Sequence, residues 1–597
     1  MAAPPTAEAA EPSGLRRAPW LALAAVSVAF HLGLVVWGLV PNLVSRPLHM
    51  ALVLPFALMW GASGWRLATG AAVAASGSAA ALWVALRHEA LRDQYGFLEG
   101  PGQVAAAVVL LGAALEAARR AIGWPLPLVA GAALLYGLAG QHLPGRLGHS
   151  GTPIESFLGT LTIAEGGLWG SLTGVSVSVV AIFVILGAAL NAGEAGQGFM
   201  NLAAAAAGRA RGGAAKVSVL ASALFGSISG SASANVASTG AVTLPAMARL
   251  GYPARFAAAV EAVASSGGQI MPPLMGAGAF VMVELTGTPY PLVMAAAAPA
   301  ALLYFLAVWV GIDVTARRLG LRPLPPEERP AAREVGVTAA FFALPFAVLL
   351  WGLFGAGVTP QRAAALAILA ASAALLVGRA PAFDLARTLE RLERATLTAA
   401  HQIALIGGII LCASVVVGVL GITGLGVKIT SLILSLSGGM LWPSLLLTAL
   451  ACLLLGMEVP TTAAYVICVS VAGPALVELG LAPLQAHLFV FWYALLSTIT
   501  PPVCGAVFIA AGMAGAPWLA TAVSAMALGV GLYLVPLAMV ARPGLLGLAE
   551  APLAAGAATL LVGAGLALLS WGLLARGRLL LRALAVAAGL AAILWTP

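Results

Sequence analysis

The stretch F-G-S-I-S-G-S-A-S-A-N-V-A-S-T-G (Phe225 to Gly240), followed by S-S-G-G-Q-I-M-P-P (Ser265 to Pro273), decides how this chain is read. Both runs sit inside sequence otherwise apolar enough for a bilayer, where unpaired backbone groups and hydroxyls have no water to bond with. Such breaks are tolerated where they line a cavity or are buried in protein. The two runs therefore mark a site, and the rest of the chain is organised around them.

Composition sets the environment. Of 597 residues, 61% are hydrophobic and 8% are charged, against about 25% charged in an ordinary soluble domain. Mean hydropathy is +1.02. The apolar runs are long and rich in Ala and Leu, with no β-barrel alternation, so the chain reads as an all-α polytopic membrane protein embedded in the lipid bilayer. At roughly 20 residues per crossing it has material for about 15 to 18 membrane segments, some of them half-helices.

The net charge of +8 comes from basic residues placed singly or in small groups between spans, as the positive-inside rule requires. With no basic tract interleaved with aromatics, nucleic acid is not a partner. Arg16 and Arg17 precede the apolar run 19–40, which is too long for a signal-peptide core and reads as a retained first span. A cytoplasmic N-terminus then puts Arg66, Arg119 and Arg120 inside, and Arg46 and the loop 87–99 outside. Glu116, three and four residues before Arg119 and Arg120, reads as a local ion pair. Cys412, Cys452, Cys468 and Cys504 read as small buried hydrophobes, with neither a disulfide framework nor a transition-metal site.

The expected organisation is a cytoplasmic tail (1–18), a small membrane domain of four spans plus a connecting span (19–141), a polar Gly/Pro junction with an amphipathic piece (142–167), a first half (168–312), a charged linker (313–335), intervening spans with an amphipathic connector (336–400), a second half (401–515) and C-terminal spans (516–597). In the connector, Arg387, Arg391 and Arg394 recur at helical spacing, fitting either a helix lying in the interface or an ordinary cytoplasmic link. The spans from 516 on contain no break like that at Phe225 to Gly240 and are expected only to pack.

A repeat ties the two halves together. Placing Gly226 on Gly456 sets G-S-I-S-G-S-A-S-A-N-V opposite G-M-E-V-P-T-T-A-A-Y-V. With one residue fewer in the second copy, Pro245 falls on Pro474, Gly251 on Gly480, and I-M-P-P-L-M-G-A (Ile270 to Ala277) on I-T-P-P-V-C-G-A (Ile499 to Ala506). The distance from the leading glycine to the Pro pair is 46 residues in one copy and 45 in the other.

Two halves with Gly/Ser/Pro-interrupted apolar segments in corresponding places point to a secondary-transporter site. A broken helix leaves N–H groups suited to an anion at one end and carbonyls suited to a hard cation at the other. The expected cation ligands are Ser227, Ser229, Ser231, Asn235, Gly267, Gly456, Thr461, Thr462, Thr498 and Thr500. The expected substrate contacts are Ser233, Gly268, Gln269, Pro272, Pro273, Pro460, Pro501 and Pro502. Glu261 and Glu458, as intramembrane carboxylates, are candidates for coupling or gating. Small residues also allow close helix packing, but packing alone does not call for Asn and so many hydroxyls.

Enzyme motifs are missing in any suitable context, so the chain is not expected to be an enzyme and no cofactor is implied. Without a nucleotide-binding segment it cannot be an ATP-driven pump.

These motifs, with A-A-V-E-A-V-A-S-S-G-G-Q-I-M-P-P-L-M-G-A (Ala258 to Ala277), P-T-T-A-A-Y (Pro460 to Tyr465), L-E-A-A-R-R (Leu115 to Arg120) and L-P-G-R-L-G-H (Leu143 to His149), resemble the fused permease of the tripartite ATP-independent periplasmic (TRAP) transporters, TAXI class. The resemblance implies an elevator-type transporter with inverted repeats, two re-entrant helical hairpins and unwound helices, fused to an N-terminal helical membrane domain, in a bacterial inner membrane. Hairpin one would centre on Ser227 to Thr239 and hairpin two on Gly456 to Pro474. A periplasmic substrate-binding protein would deliver a small organic anion, commonly a carboxylate, and symport of Na⁺, or else H⁺, would drive uptake. Glu458 departs from the small or apolar residue usual there, which bears on the choice between the two ions. A stand-alone ion-coupled carboxylate symporter is the alternative, ahead of a passive channel or an intramembrane enzyme.

Overall fold

In the computed structural model, residues 17–376, 384–456, 461–502 and 504–595 are described. Among them the chain is helical, without strands. Ten helices are long and apolar enough to cross a membrane, eleven if a pair bent by 118° (Gly505–Ala514 and Trp518–Leu528) is one span, and the other apolar helices run only 10–17 residues. Short apolar helices are what the broken segments of the sequence require.

Packing divides the chain into two units that do not follow chain order: residues 1–193 with 351–428, and residues 194–350 with 429–597.

In the first unit, Arg17–Trp37, Asn42–Met59, Pro101–Ile122, Pro125–Ala139 and the span Ser171–Ala192 all pack on one 39-residue helix, Leu385–Thr423. Small residues make that closeness possible: a Cβ at Gly408 would lie 3.2 Å from the Ala117 side chain, and one at Gly418 only 2.6 Å from the Gly166 carbonyl. The segment carrying Arg387, Arg391 and Arg394 is the first turns of this same helix, not a separate interfacial one. At about 1.5 Å per residue the helix is about 58 Å long, well beyond the bilayer's hydrocarbon core of about 30 Å. Its basic end therefore runs on past the apolar region, where Glu393 pairs with Arg17 at 2.6 Å. Glu116 pairs with Arg119 at 2.6 Å and Arg120 at 2.8 Å, the local ion pair that its spacing predicts.

Two buried histidines in this unit are matched to each other and to neighbouring oxygens. His31 donates from Nδ1 to the Ser27 carbonyl (2.6 Å), its Nε2 lies 2.8 Å from His49 Nδ1, and His49 Nε2 lies 3.1 Å from the Ser176 hydroxyl. Ser176 opens a π-helical turn, Ser176–Val180, in its span.

The second unit holds both hairpins and both broken helices. The arms of hairpin one are Gly213–Ser229 and Ala232–Arg249, and those of hairpin two are Leu441–Leu455 and Thr461–Glu478. Each is followed by a helix that breaks. Ala254–Gly267 gives way to a 3₁₀ turn (Gly268–Ile270), then to non-helical residues 271–275, then to Gly276–Thr286. Pro483–Leu496 gives way to Ser497–Ile499 and then, beyond the second Pro pair, to Gly505–Ala514. Pro272–Pro273 and Pro501–Pro502 are both cis. The 30-residue helix Tyr290–Leu319 backs the first broken helix. Lys216 of hairpin one pairs with its Asp313 at 2.8 Å.

The region 516–540 differs from expectation. It is not one packing span but Trp518–Leu528, a 3₁₀ turn Val530–Tyr533, and Val535–Ala541. Gly529 and Gly531 weaken the helix here, and Pro536 lies in the first turn of the last piece, where its missing N–H is tolerated.

Candidate transport site

Hairpin one reverses at Gly230, whose φ of +61° a side chain would oppose. Ser231 then caps the second arm, its hydroxyl accepting from the Ala234 amide at 3.3 Å. Ser227 donates to the Leu224 carbonyl at 2.7 Å, and Ser229 lies 3.5 Å from the Ser231 carbonyl. These hydroxyls thus satisfy the local backbone of the reversal. Ser233 is exposed, and a Cβ on Gly505 of the second half would stand 3.8 Å from its hydroxyl.

Asn235 is fully buried and donates to the carbonyls of Ser222 (2.9 Å) and Ser265 (3.3 Å). One amide thereby ties both hairpin arms to the helix that breaks. Gly226 and Gly268 meet beside it: a Cβ on Gly226 would lie 2.5 Å from Gly268 Cα. Gly267 carries the ring of Tyr304, which a Cβ would meet at 2.3 Å. The Tyr304 hydroxyl donates to the Val263 carbonyl at 2.8 Å. Tyr290 donates to the carbonyls of Pro273 and Leu274, carbonyls that the broken helix leaves without helical amides.

Gln269 reaches furthest. With its amide oriented to satisfy its neighbours, it donates to the Gly230 carbonyl (3.3 Å) and to Thr461 Oγ1 (2.7 Å), and accepts from the Ala232 amide (3.3 Å). It thus engages two backbone groups of the hairpin-one reversal and the first residue of the second arm of hairpin two. Its repeat equivalent, Thr498, also crosses between halves, with Oγ1 2.8 Å from Ser266 Oγ. Thr500 meets the Tyr533 hydroxyl at 2.6 Å. Gly456 abuts Ser497, whose hydroxyl donates to the Gly456 carbonyl at 2.9 Å.

Thr461 is buried, Thr462 and Pro501 are half-buried, Pro272 is half-buried with Pro273 buried, and Pro502 is exposed. Glu458 and Pro460 lie outside the described residues.

Glu261 is fully buried and faces only hydroxyls. Ser218 donates to its Oε2 at 2.7 Å, Thr243 donates to the same oxygen, and Thr239 donates to Oε1.

Tyr290, Tyr304 and Tyr533 carry no motif in the sequence, and only the fold brings them to the broken helices. Tyr290 carries a faint signal, since it directly follows a Pro that starts a helix.

Comparison with known proteins identifies the family. Residues 109–553 match the family "Tripartite ATP-independent periplasmic transporter, DctM component", well over half of the chain. The chain belongs to this TRAP permease family. It is therefore a multi-pass inner-membrane permease and not an enzyme. Permeases of this family are the membrane part of secondary transporters that work with a periplasmic substrate-binding protein and carry organic acids.

Among its relatives, the C4-dicarboxylate TRAP transporter large permease protein DctM of Pseudomonas aeruginosa is 29% identical over 57% of this chain and 78% of its own length. The isethionate TRAP transporter permease protein DctMQ of Oleidesulfovibrio alaskensis is 26% identical over 66% of this chain and 61% of its own length. The 2,3-diketo-L-gulonate TRAP transporter large permease protein YiaN of Escherichia coli is 27% identical over 57% of this chain and 78% of its own length.

Proposed function

We propose that this TRAP permease imports a small organic anion, a carboxylate by preference, handed over by a periplasmic substrate-binding protein and driven by cation symport. The resemblance implies Na⁺ as that ion, with H⁺ as the other candidate. The observation that carries the reading is the meeting of two repeat-related hairpins with two broken helices inside one packing unit, joined across halves by Gln269–Thr461 and Ser266–Thr498. Broken helices present both amides for an anion and carbonyls for a cation, as the sequence leads one to expect. The relatives named for C4-dicarboxylate and 2,3-diketo-L-gulonate support a carboxylate, and the one named for isethionate widens the class to other small organic anions. We assign the hairpin reversals and Asn235 to the cation, and Gln269 with the Pro pairs to the substrate. The TAXI class and an elevator-type movement of the hairpin-bearing helices follow from the motif resemblance.

Uptake into proteoliposomes tests this. Asn235→Ala and Thr461→Ala are each expected to lower ion-coupled uptake while leaving membrane insertion intact. Unchanged ion dependence in both would remove the hairpin assignment. Full transport with no soluble binding protein present would favour a stand-alone symporter instead.

A further inference from the structure

The surroundings of Glu261 contain more donors than a simple structural tie needs, and all are of one kind. Besides Ser218, Thr239 and Thr243, the hydroxyls of Ser265 and Ser222 stand 3.4 and 3.5 Å from Oε1. They come from both arms of hairpin one and from Glu261's own helix. The ionisable groups on the packed elements are directed elsewhere. Lys216 and Arg317 pair with Asp313, Arg249 with Glu328, and Arg318 donates to the Leu574 carbonyl. Tyr290 and Tyr304 bond backbone carbonyls, His487 bonds Tyr465, and Tyr493 bonds the Tyr533 carbonyl. Arg255 is exposed at the start of the helix. Gly505–Ala514 and Trp518–Leu528 carry no ionisable residue. Among the described residues, the hydrogen bonds to this carboxyl group come from hydroxyls alone.

Counting protons shows what such a site can hold. Thr239 Oγ1 is 2.7 Å from the Asn235 carbonyl as well as in reach of Glu261, and Thr243 Oγ1 is 3.0 Å from the Thr239 carbonyl as well as in reach of Glu261. A hydroxyl has one proton to give. When Glu261 is ionised, both threonines turn their protons to it. When Glu261 is protonated, its O–H donates to one threonine oxygen, and that threonine turns its own proton back to its helix carbonyl. Both states are satisfied without moving a heavy atom, so the site can gain or lose one proton and leave no unmatched buried group.

We propose that Glu261 is a proton-binding site whose state sets how firmly hairpin one is held on the helix Ala254–Gly267. This rests on the import reading above and deepens it. Bonds to an ionised carboxylate are stronger than bonds to a neutral one, so loss of the proton tightens both arms on that helix and uptake of the proton loosens them. The equivalent position in the second half is Val490, so the device belongs to hairpin one.

Infrared difference spectra of the purified full chain, taken between about pH 5 and pH 9, test the site without a known substrate. A titrating carboxylic-acid band that is missing in Glu261→Gln is expected; a spectrum unchanged by that substitution overturns the proposal. Thr243→Val keeps the carboxyl group and removes one donor to its ionised form, so the band's midpoint should move to higher pH, and an unmoved midpoint counts against the site. In Asn235→Ala, which lacks the nearby residue assigned to the cation, replacing choline by Na⁺ at equal ionic strength should leave the midpoint in place, whereas a Na⁺-dependent shift there would make this a metal-cation site and overturn the proposal. Hydrogen exchange in residues 213–249, corrected for intrinsic rates, should rise roughly tenfold on protonation, as for the weakening of one charge-assisted bond, and should stay high at every pH in Glu261→Gln. Equal protection in both states removes the link to the hairpin. These readouts do not depend on uptake, so a failed import assay and a failed proton site are told apart.

Discussion

The two halves of the transport unit share a frame and differ in chemistry. Gly226 meets Gly268 in the first half, and their equivalents Gly456 and Ser497 meet in the second. In the first half the pair Ser222 and Thr239 stands 3.2 Å apart beside Glu261. At the equivalent places in the second half stand Cys452 and Cys468, side chain to side chain, with Val490. Ser218, which donates to Glu261, has Thr448 as its equivalent, a buried hydroxyl with no hydrogen-bond partner among the described residues. Asn235, which ties three segments, is matched by Tyr465, which bonds His487 at 2.7 Å. The two halves thus share a close glycine contact, with a buried polar network around hairpin one and sulfur and aromatic packing around hairpin two.

Substitutions test this contrast. The largest effect is expected at the glycine contacts. Gly226→Ala would press a Cβ on the Gly268 backbone and on the hydrogen-bonded Asn235 amide, and should cost about 1–3 kcal/mol or more, read as a lower thermal unfolding midpoint. Gly456→Ala presses mainly on the Ser497 side chain, so adding Ser497→Gly should restore most of the loss. A tolerated Gly226→Ala, or a second half that is not rescued, would show that the two contacts are not equivalent.

Next comes Asn235→Ala, which removes two buried hydrogen bonds, against Tyr465→Phe, which removes one. Losses of about 2 and about 1 kcal/mol are expected, and equal losses would end the claim that polarity is concentrated in the first half. The crossing bond between Ser266 and Thr498 should give a coupling of about 0.5–1.5 kcal/mol in a double-mutant cycle of Ser266→Ala and Thr498→Val, and additivity would mean that the halves are not joined there. The smallest effect, about 0.5–1 kcal/mol, is expected for Tyr533→Phe, because Thr500 keeps its bond to the Leu496 carbonyl at 2.7 Å.

Much of this was legible in the sequence because bilayer chemistry is restrictive. Apolar length gives spans, and a Gly/Ser/Pro interruption within one has few structural outcomes, so the breaks at Gly230, after Gly267 and after Leu496 follow from residue type. The Glu116 ion pair follows from spacing alone. The repeat was readable because Gly and Pro constrain the backbone and keep their places.

Contacts distant in sequence needed the tertiary structure. Side-chain length and direction decide that Gln269 reaches Thr461, that Tyr533 from a broken C-terminal span reaches Thr500, and that Glu261 is enclosed by hydroxyls from both hairpin arms; local pattern encodes none of these. The grouping of residues 351–428 with the N-terminal helices has the same origin, since it depends on which small-residue faces fit together. Residue type alone implies an all-helical membrane protein with two matched interruptions, because an unpaired backbone group in lipid has so few remedies. The tertiary structure decided which groups meet at those interruptions, because meeting is a matter of distance, and distance between halves is set by packing.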